Sequence, residues 1–188
     1  MRKSRTAAVF VLAASTLLGA AGTTQARESA PAGSAASCST AWGSGTKAGG
    51  EEQAKPLKAI TTSQDKCFDR MVFNTGGVTG GLAYHVGYVS TFHQDGSGTP
   101  IAVKGGAILQ VFVSSPSYDP ATSRPVYDGK AGKPLPGVNL TGYKTFRDAR
   151  FGASFEGQTQ IGLGVRGRLP FRVTQSGDKL IIDVAHKW

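Results

Sequence analysis

The feature that most limits the fold is a succession of short apolar runs separated by turn residues, with no convincing amphipathic helix beyond residue 26. Candidate strands lie at 57–62, 68–75, 84–90, 101–103, 108–113, 143–149, 161–165, 171–174 and 179–185. Residues 84–89 alternate: Tyr84, Val86 and Tyr88 fall on one face, and His85, Gly87 and Val89 on the other. Such period-two patterning suits a strand with two unlike faces. Residues 101–103 and 108–113 flank Lys104-Gly105-Gly106 and read as a hairpin. A second hairpin is expected across Gln175-Ser176-Gly177-Asp178. The 26 glycines and 9 prolines supply the turns. About eight short strands at fairly even spacing predict an all-β chain: an antiparallel β-sandwich, or a small open barrel.

The residues before this β region read differently. Arg2, Lys3 and Arg5 precede an apolar run from Ala7 to Ala21, and Thr24-Gln25-Ala26 places small residues before a cleavage point. The run is shorter than the ~20 residues a membrane span needs. Residues 1–26 are therefore expected to be a secretory signal, with no transmembrane span once it is removed. No cysteine follows the apolar run directly, which argues against a lipid anchor. Residues 27–56, rich in Ala, Gly and Ser, read as a flexible N-terminal arm, with one helical turn expected near Glu51–Lys55. The β domain is expected over 57–188.

Export gives the two cysteines their meaning. Cys38 and Cys67 make an even count in an oxidising compartment, so a disulfide is expected. It would pin the arm, with Trp42, onto the domain. The rival reading, a nucleophilic Cys67 served by His85 or His93, lacks any recognisable Cys-His motif.

Charge narrows the partners. Three of the 21 basic residues lie in the signal, and the remainder still outnumber the 12 acidic ones. A basic exported chain suits an anionic surface such as a cell wall, with its glycan and anionic wall polymer, or phospholipid headgroups; solubility with no specific partner is the equal alternative. Nucleic acid does not fit, because there is no long Lys/Arg run and no nucleic-acid motif.

Two strands carry apolar residues on both faces: Cys67-Phe68-Asp69-Arg70-Met71-Val72-Phe73 and Leu180-Ile181-Ile182-Asp183-Val184. Both are expected near the middle of the fold. An unpaired buried charge is costly, so Arg70 is expected to pair with Asp183, the acid on the other core-like strand. The rival role for Arg70 is contact with an anionic ligand in a groove. Trp42, Tyr84 and Tyr88 are candidates for an aromatic platform under sugar rings. Arg166, Arg168 and Arg172 are candidates for meeting carboxylates or phosphates. Core packing and a solvated basic edge are the plainer alternatives. Gly162 and Gly164 inside a strand pattern predict close approach of a ligand or another backbone.

No catalytic residue, metal or cofactor is called for. His85, His93 and His186 are scattered, no serine sits in a nucleophile elbow, and Glu156 with Asp148 or Asp183 is only a generic carboxylate pair. Residues 114–140, with five prolines, form a long irregular loop of the kind that is either functional or mobile, and an inhibitory role would use it.

Taken together, 67–73, Phe155-Glu156-Gly157, Ile161-Gly162-Leu163-Gly164-Val165, Pro170-Phe171-Arg172-Val173 and the terminal 180–186 resemble the AMIN-like domain, found in exported actinobacterial proteins. That domain is in turn similar to the AMIN domain, a small β-sandwich attached to cell-wall amidases and secretion proteins. The resemblance implies a non-catalytic, envelope-associated β domain that binds peptidoglycan or an attached anionic polymer, without carrying over any binding residue. The alternatives held beside it are a secreted binder of a protein, such as an envelope protein, or of a small molecule, and a secreted hydrolase. The chain is expected outside the cell, free or held at the wall.

Overall fold

The computed structural model describes residues 38–39, 41–53, 55–77 and 80–188. The signal expected over 1–26, and the arm as far as residue 37, lie outside the described residues. Among the described residues there is no helix, including at Glu51–Lys55. Nine strands form two sheets: β1 (Lys47–Gly49), β2 (Ala59–Gln64), β3 (Phe68–Asn74), β4 (Tyr84–Val89), β5 (Ala107–Val113), β6 (Phe146–Phe155), β7 (Gln158–Val165), β8 (Phe171–Ser176) and β9 (Lys179–Ala185). One sheet runs β1-β4-β5-β7-β6 and the other β2-β3-β9-β8, with every named strand pair antiparallel. The architecture is the expected sandwich, not closed into a barrel.

The core follows from alternation. Asp69, Met71 and Phe73 of β3 are buried while Phe68, Arg70, Val72 and Asn74 are half-buried on the outer face. Leu180, Ile182 and Val184 of β9 meet Leu109, Val111, Leu163 and Val165 of the facing sheet in one apolar cluster. The β6–β7 hairpin turns on Glu156 and Gly157, both at positive φ (46° and 79°), as a two-residue connection between right-twisted strands requires.

Three local expectations change. Residues 101–103 form no strand, because β7 occupies the place beside β5. They run instead across the outer face of β7. A Cβ added to Gly164 would lie 1.9 Å from the Lys104 carbonyl oxygen, and one added to Gly162 would lie 2.7 Å from the Phe92 ring. The glycine face is thus filled by the chain's own loop, leaving no room there for a ligand. The segment read as a flexible arm supplies β1, which pairs with β4 through Lys47, Ala48 and Gly49. The long loop after β5 is tied down by its own bonds. Ser115 Oγ donates to the Lys55 carbonyl (2.7 Å), and Gly132 N and Phe151 O are 2.8 Å apart. Tyr127 and Leu135 reach the core.

Candidate functional site

Sheet register builds a row of three charged residues. Arg70 of β3 and Arg172 of β8 stand directly opposite Asp183 of β9, one on either side. All three point to the outer face of the four-stranded sheet. Asp183 nevertheless has no exposure, because the two arginine side chains cover it. Arg70 donates to both carboxylate oxygens, Nε to Oδ1 at 2.7 Å and Nη2 to Oδ2 at 2.9 Å, and Arg172 Nε adds a bond to Oδ2 at 2.8 Å. The bond to Asp183 raises the Arg70 pKa above its ordinary value, against an opposing pull from burial. Two guanidinium groups share one carboxylate, so the row keeps an excess positive charge at the surface. Each arginine side chain remains about a third exposed (33% and 38%).

Aromatic rings frame this row. Phe68 lies under both guanidinium groups, 5.1 Å from Arg70 Cζ and 5.2 Å from Arg172 Cζ. Trp42 packs edge-on against Phe68 (5.8 Å) and faces Arg172 at 4.4 Å. Such cation–ring contacts contribute roughly 0.5–1 kcal/mol at exposed sites.

Trp42 is there because of a strap. Cys38 is bonded to Cys67, the residue before β3, with Cα atoms 5.3 Å apart. From that anchor the chain crosses the edge strand β8, where Phe171 N donates to the Gly43 carbonyl (2.9 Å). Lys47 then sits over the Phe171 ring at 4.2 Å and enters β1 in the other sheet. Burial there lowers the Lys47 pKa. The strap closes one side of the sandwich and joins the two sheets. Farther along β8, Gln175 completes the cover by bonding both backbone groups of Leu82, at 2.5 and 3.0 Å.

The strap also reaches the β7–β8 loop. Arg168 Nε lies 3.4 Å from Ser44 Oγ, and its guanidinium lies over the Tyr88 ring at 5.3 Å. Tyr88 packs edge-on against Phe171, donates its hydroxyl proton to the Leu169 carbonyl (2.8 Å) and accepts from Leu169 N (3.0 Å). Burial pushes its pKa up to about 12. Trp188, exposed, donates from its indole to the Arg168 carbonyl (3.0 Å).

The six candidate ligand residues are therefore only partly gathered. Trp42 and Arg172 meet on the outer sheet face, and Arg168 and Tyr88 meet at the loop beyond it. Tyr84 belongs elsewhere on β4, beside Gly49 of β1. Arg166 is bound to the carbonyl of His186. Trp42, Tyr84 and Tyr88 form no common platform, because Trp42 rides on one sheet and the tyrosines are embedded in the other.

Asp69 has a different job from its neighbour. Buried, it accepts from the backbone N–H groups of Thr145 (2.6 Å) and Phe146 (2.9 Å), and its other oxygen meets His186 Nε2 at 2.9 Å. It fastens β3 to the start of β6 in the opposite sheet. The remaining titratable candidates do not converge. His85 and His93 are exposed. Asp148 is paired with Arg150 (2.9 Å), and Glu156 is exposed at a hairpin tip. Among the described residues no group of His, Cys, Asp and Glu is placed to hold a metal ion.

Sequence reasoning passed over Lys47, Ser44, Gln175 and Phe68 as parts of this surface. Only the cysteine pairing signalled that the strap lay here. No curated protein and no solved structure gives a match to this chain. The AMIN-like domain model matches residues 55–186, which takes in both central strands, the Arg70–Asp183–Arg172 row and the Arg168 loop. The chain belongs to the AMIN-like domain family.

Proposed function

We propose that this chain is an exported, non-catalytic domain that associates with the cell envelope by binding peptidoglycan or an anionic polymer attached to it. Membership of the AMIN-like family supports a cell-wall role. The observation that carries the finer reading is a continuous strip of cations and rings. It runs from Arg70 and Phe68 through Arg172 and Trp42, then past Ser44 to Arg168 and Tyr88. Its central carboxylate, Asp183, is buried and matched, and the exposed Asp65 lies close enough to act on Arg70 at one end. Guanidinium forks suit carboxylate and phosphate groups, and the half-buried rings of Phe68, Trp42 and Tyr88 leave apolar surface for the faces of sugars.

The test is co-sedimentation of protein lacking residues 1–26 with purified sacculi. Pelleting at low ionic strength that falls as salt rises is the expected result, because surface charge is screened within about 10 Å at 0.1 M salt. Protein that stays in the supernatant at low salt would remove the reading.

A further inference from the structure

Beyond Tyr88 the strip ends in a cavity of about 360 Å³, lined by Tyr88, Val89, Ser90, Val103, Ala107, Ile108 and Arg168 with the backbone of Gly105 and Gly106. This volume falls in the range of small-ligand sites. Its side-chain walls are small and aliphatic, apart from one hydroxyl and one ring. Its single charge is Arg168, and no acidic residue lines it. The Arg168 side chain is held over Tyr88 and touches Ser44 only at 3.4 Å, and its other N–H groups meet no acceptor among the described residues. Trp188 is anchored on the Arg168 carbonyl.

We propose that this cavity binds the C-terminal carboxylate of a short peptide ending in a small aliphatic residue. Arg168 takes the carboxylate in a two-pronged contact, Ser90 offers a hydroxyl, and Val89, Val103, Ala107 and Ile108 receive the methyl group. A lone guanidinium in a half-open cavity of mixed polar and aliphatic lining suits a single anion joined to a small apolar body. A long polyanion would engage the open row at Arg70 and Arg172 instead. The proposal rests on the wall-binding reading and names what one end of that strip recognises.

The test is NMR titration of isotope-labelled protein with N-acetyl-alanyl-alanine, in its L,L and D,D forms, beside the matching C-terminal amides. One acid form is expected to shift the amide signals of Ser90, Gly105 and Ala107 with a Kd of roughly 1 mM, ordinary for so small a ligand. The amide, and the exposed variant Arg168→Gln, are each expected to bind about tenfold more weakly, the cost of one hydrogen-bonded ion pair. Arg168→Lys, which keeps the charge but not the fork, is expected between the parent protein and Arg168→Gln. Equal binding of acid and amide, shifts mapped away from the cavity, or binding of N-acetylmuramic acid without the dipeptide would each overturn the proposal. Sacculus pelleting without any dipeptide shift would remove this inference and leave the wall reading. Dipeptide binding without pelleting would do the reverse.

Discussion

Asp183 is a carboxylate with no solvent exposure, positioned by strand register between two arginines. Removing an acceptor from such a row leaves two guanidinium groups facing each other without a counter-charge. Asp183→Asn is expected to lower stability by about 2–3 kcal/mol, below the full cost of a buried pair because both arginines are partly exposed. Urea melts of the oxidised protein measure this. Arg172→Gln, which leaves the two-pronged Arg70 contact in place, is expected to cost about 1 kcal/mol or less. The Arg70–Asp183 contact could be read from sequence because a charge inside an apolar strand must be matched. The second arginine could not, since nothing in the linear chain says that β8 and β3 flank β9. Tyr88 gives a residue-level pH effect. Its folded pKa of about 12 exceeds the ordinary 10, so the folded state holds its proton more tightly than the unfolded chain. The contribution is complete below pH 10 and is lost as pH rises toward 12. Burial raises the Tyr127 pKa as well, in the same sense. Urea midpoints are expected to fall between pH 9.5 and about 11.5, and less steeply in Tyr88→Phe.

The strap and β7 are the elements that most shape the surface. The strap has little apolar content of its own, and its three-residue strand is too short to show periodicity. Its place is set by the disulfide, the Gly43 contact and Lys47 on Phe171. Opening the Cys38–Cys67 bond frees a loop with a sequence separation of 29. Cys38→Ser with Cys67→Ser is expected to cost about 3.5 kcal/mol in the chain-entropy model, measured as a shift in the denaturation midpoint. The fluorescence of Trp42 is expected to shift toward that of solvated indole, with Trp188→Phe as the background that isolates it. β7 was legible as a strand, and its glycines as a place of close approach, but not that the chain's own loop, rather than a ligand, fills it. Residues 101–103 look like a strand because Ile101 and Val103 alternate with Ala102. Pro100 and Gly105 bound them, however, and the bare face of β7 gives them a backbone to lie against. Gly164→Val is expected to displace Lys104 and its loop, destabilising the protein by about 2 kcal/mol or more in thermal melts.

At the scale of the whole molecule, about eight evenly spaced short strands were enough to forecast an antiparallel sandwich, and apolar residues on both faces of 67–73 and 180–184 to forecast those strands near its middle. The grouping of surface residues was not forecast, because it depends on strand order. Trp42 and Arg172 become neighbours only when the strap crosses β8, and Tyr84 is carried away from them by β4. The same crossing turns scattered arginines and rings into one strip on one side of the sandwich, opposite in sign to the wall polymers it is proposed to meet. The most direct measurement is co-sedimentation of the Trp42→Ala, Arg168→Gln double variant with sacculi, beside the parent protein at low salt. Neither side chain is buried, so thermal melts are expected to show the fold kept. The strip predicts a pelleted fraction at least several-fold below that of the parent, with charge and ring both lost. A folded double variant that pellets as well as the parent would show that wall association does not run through this face.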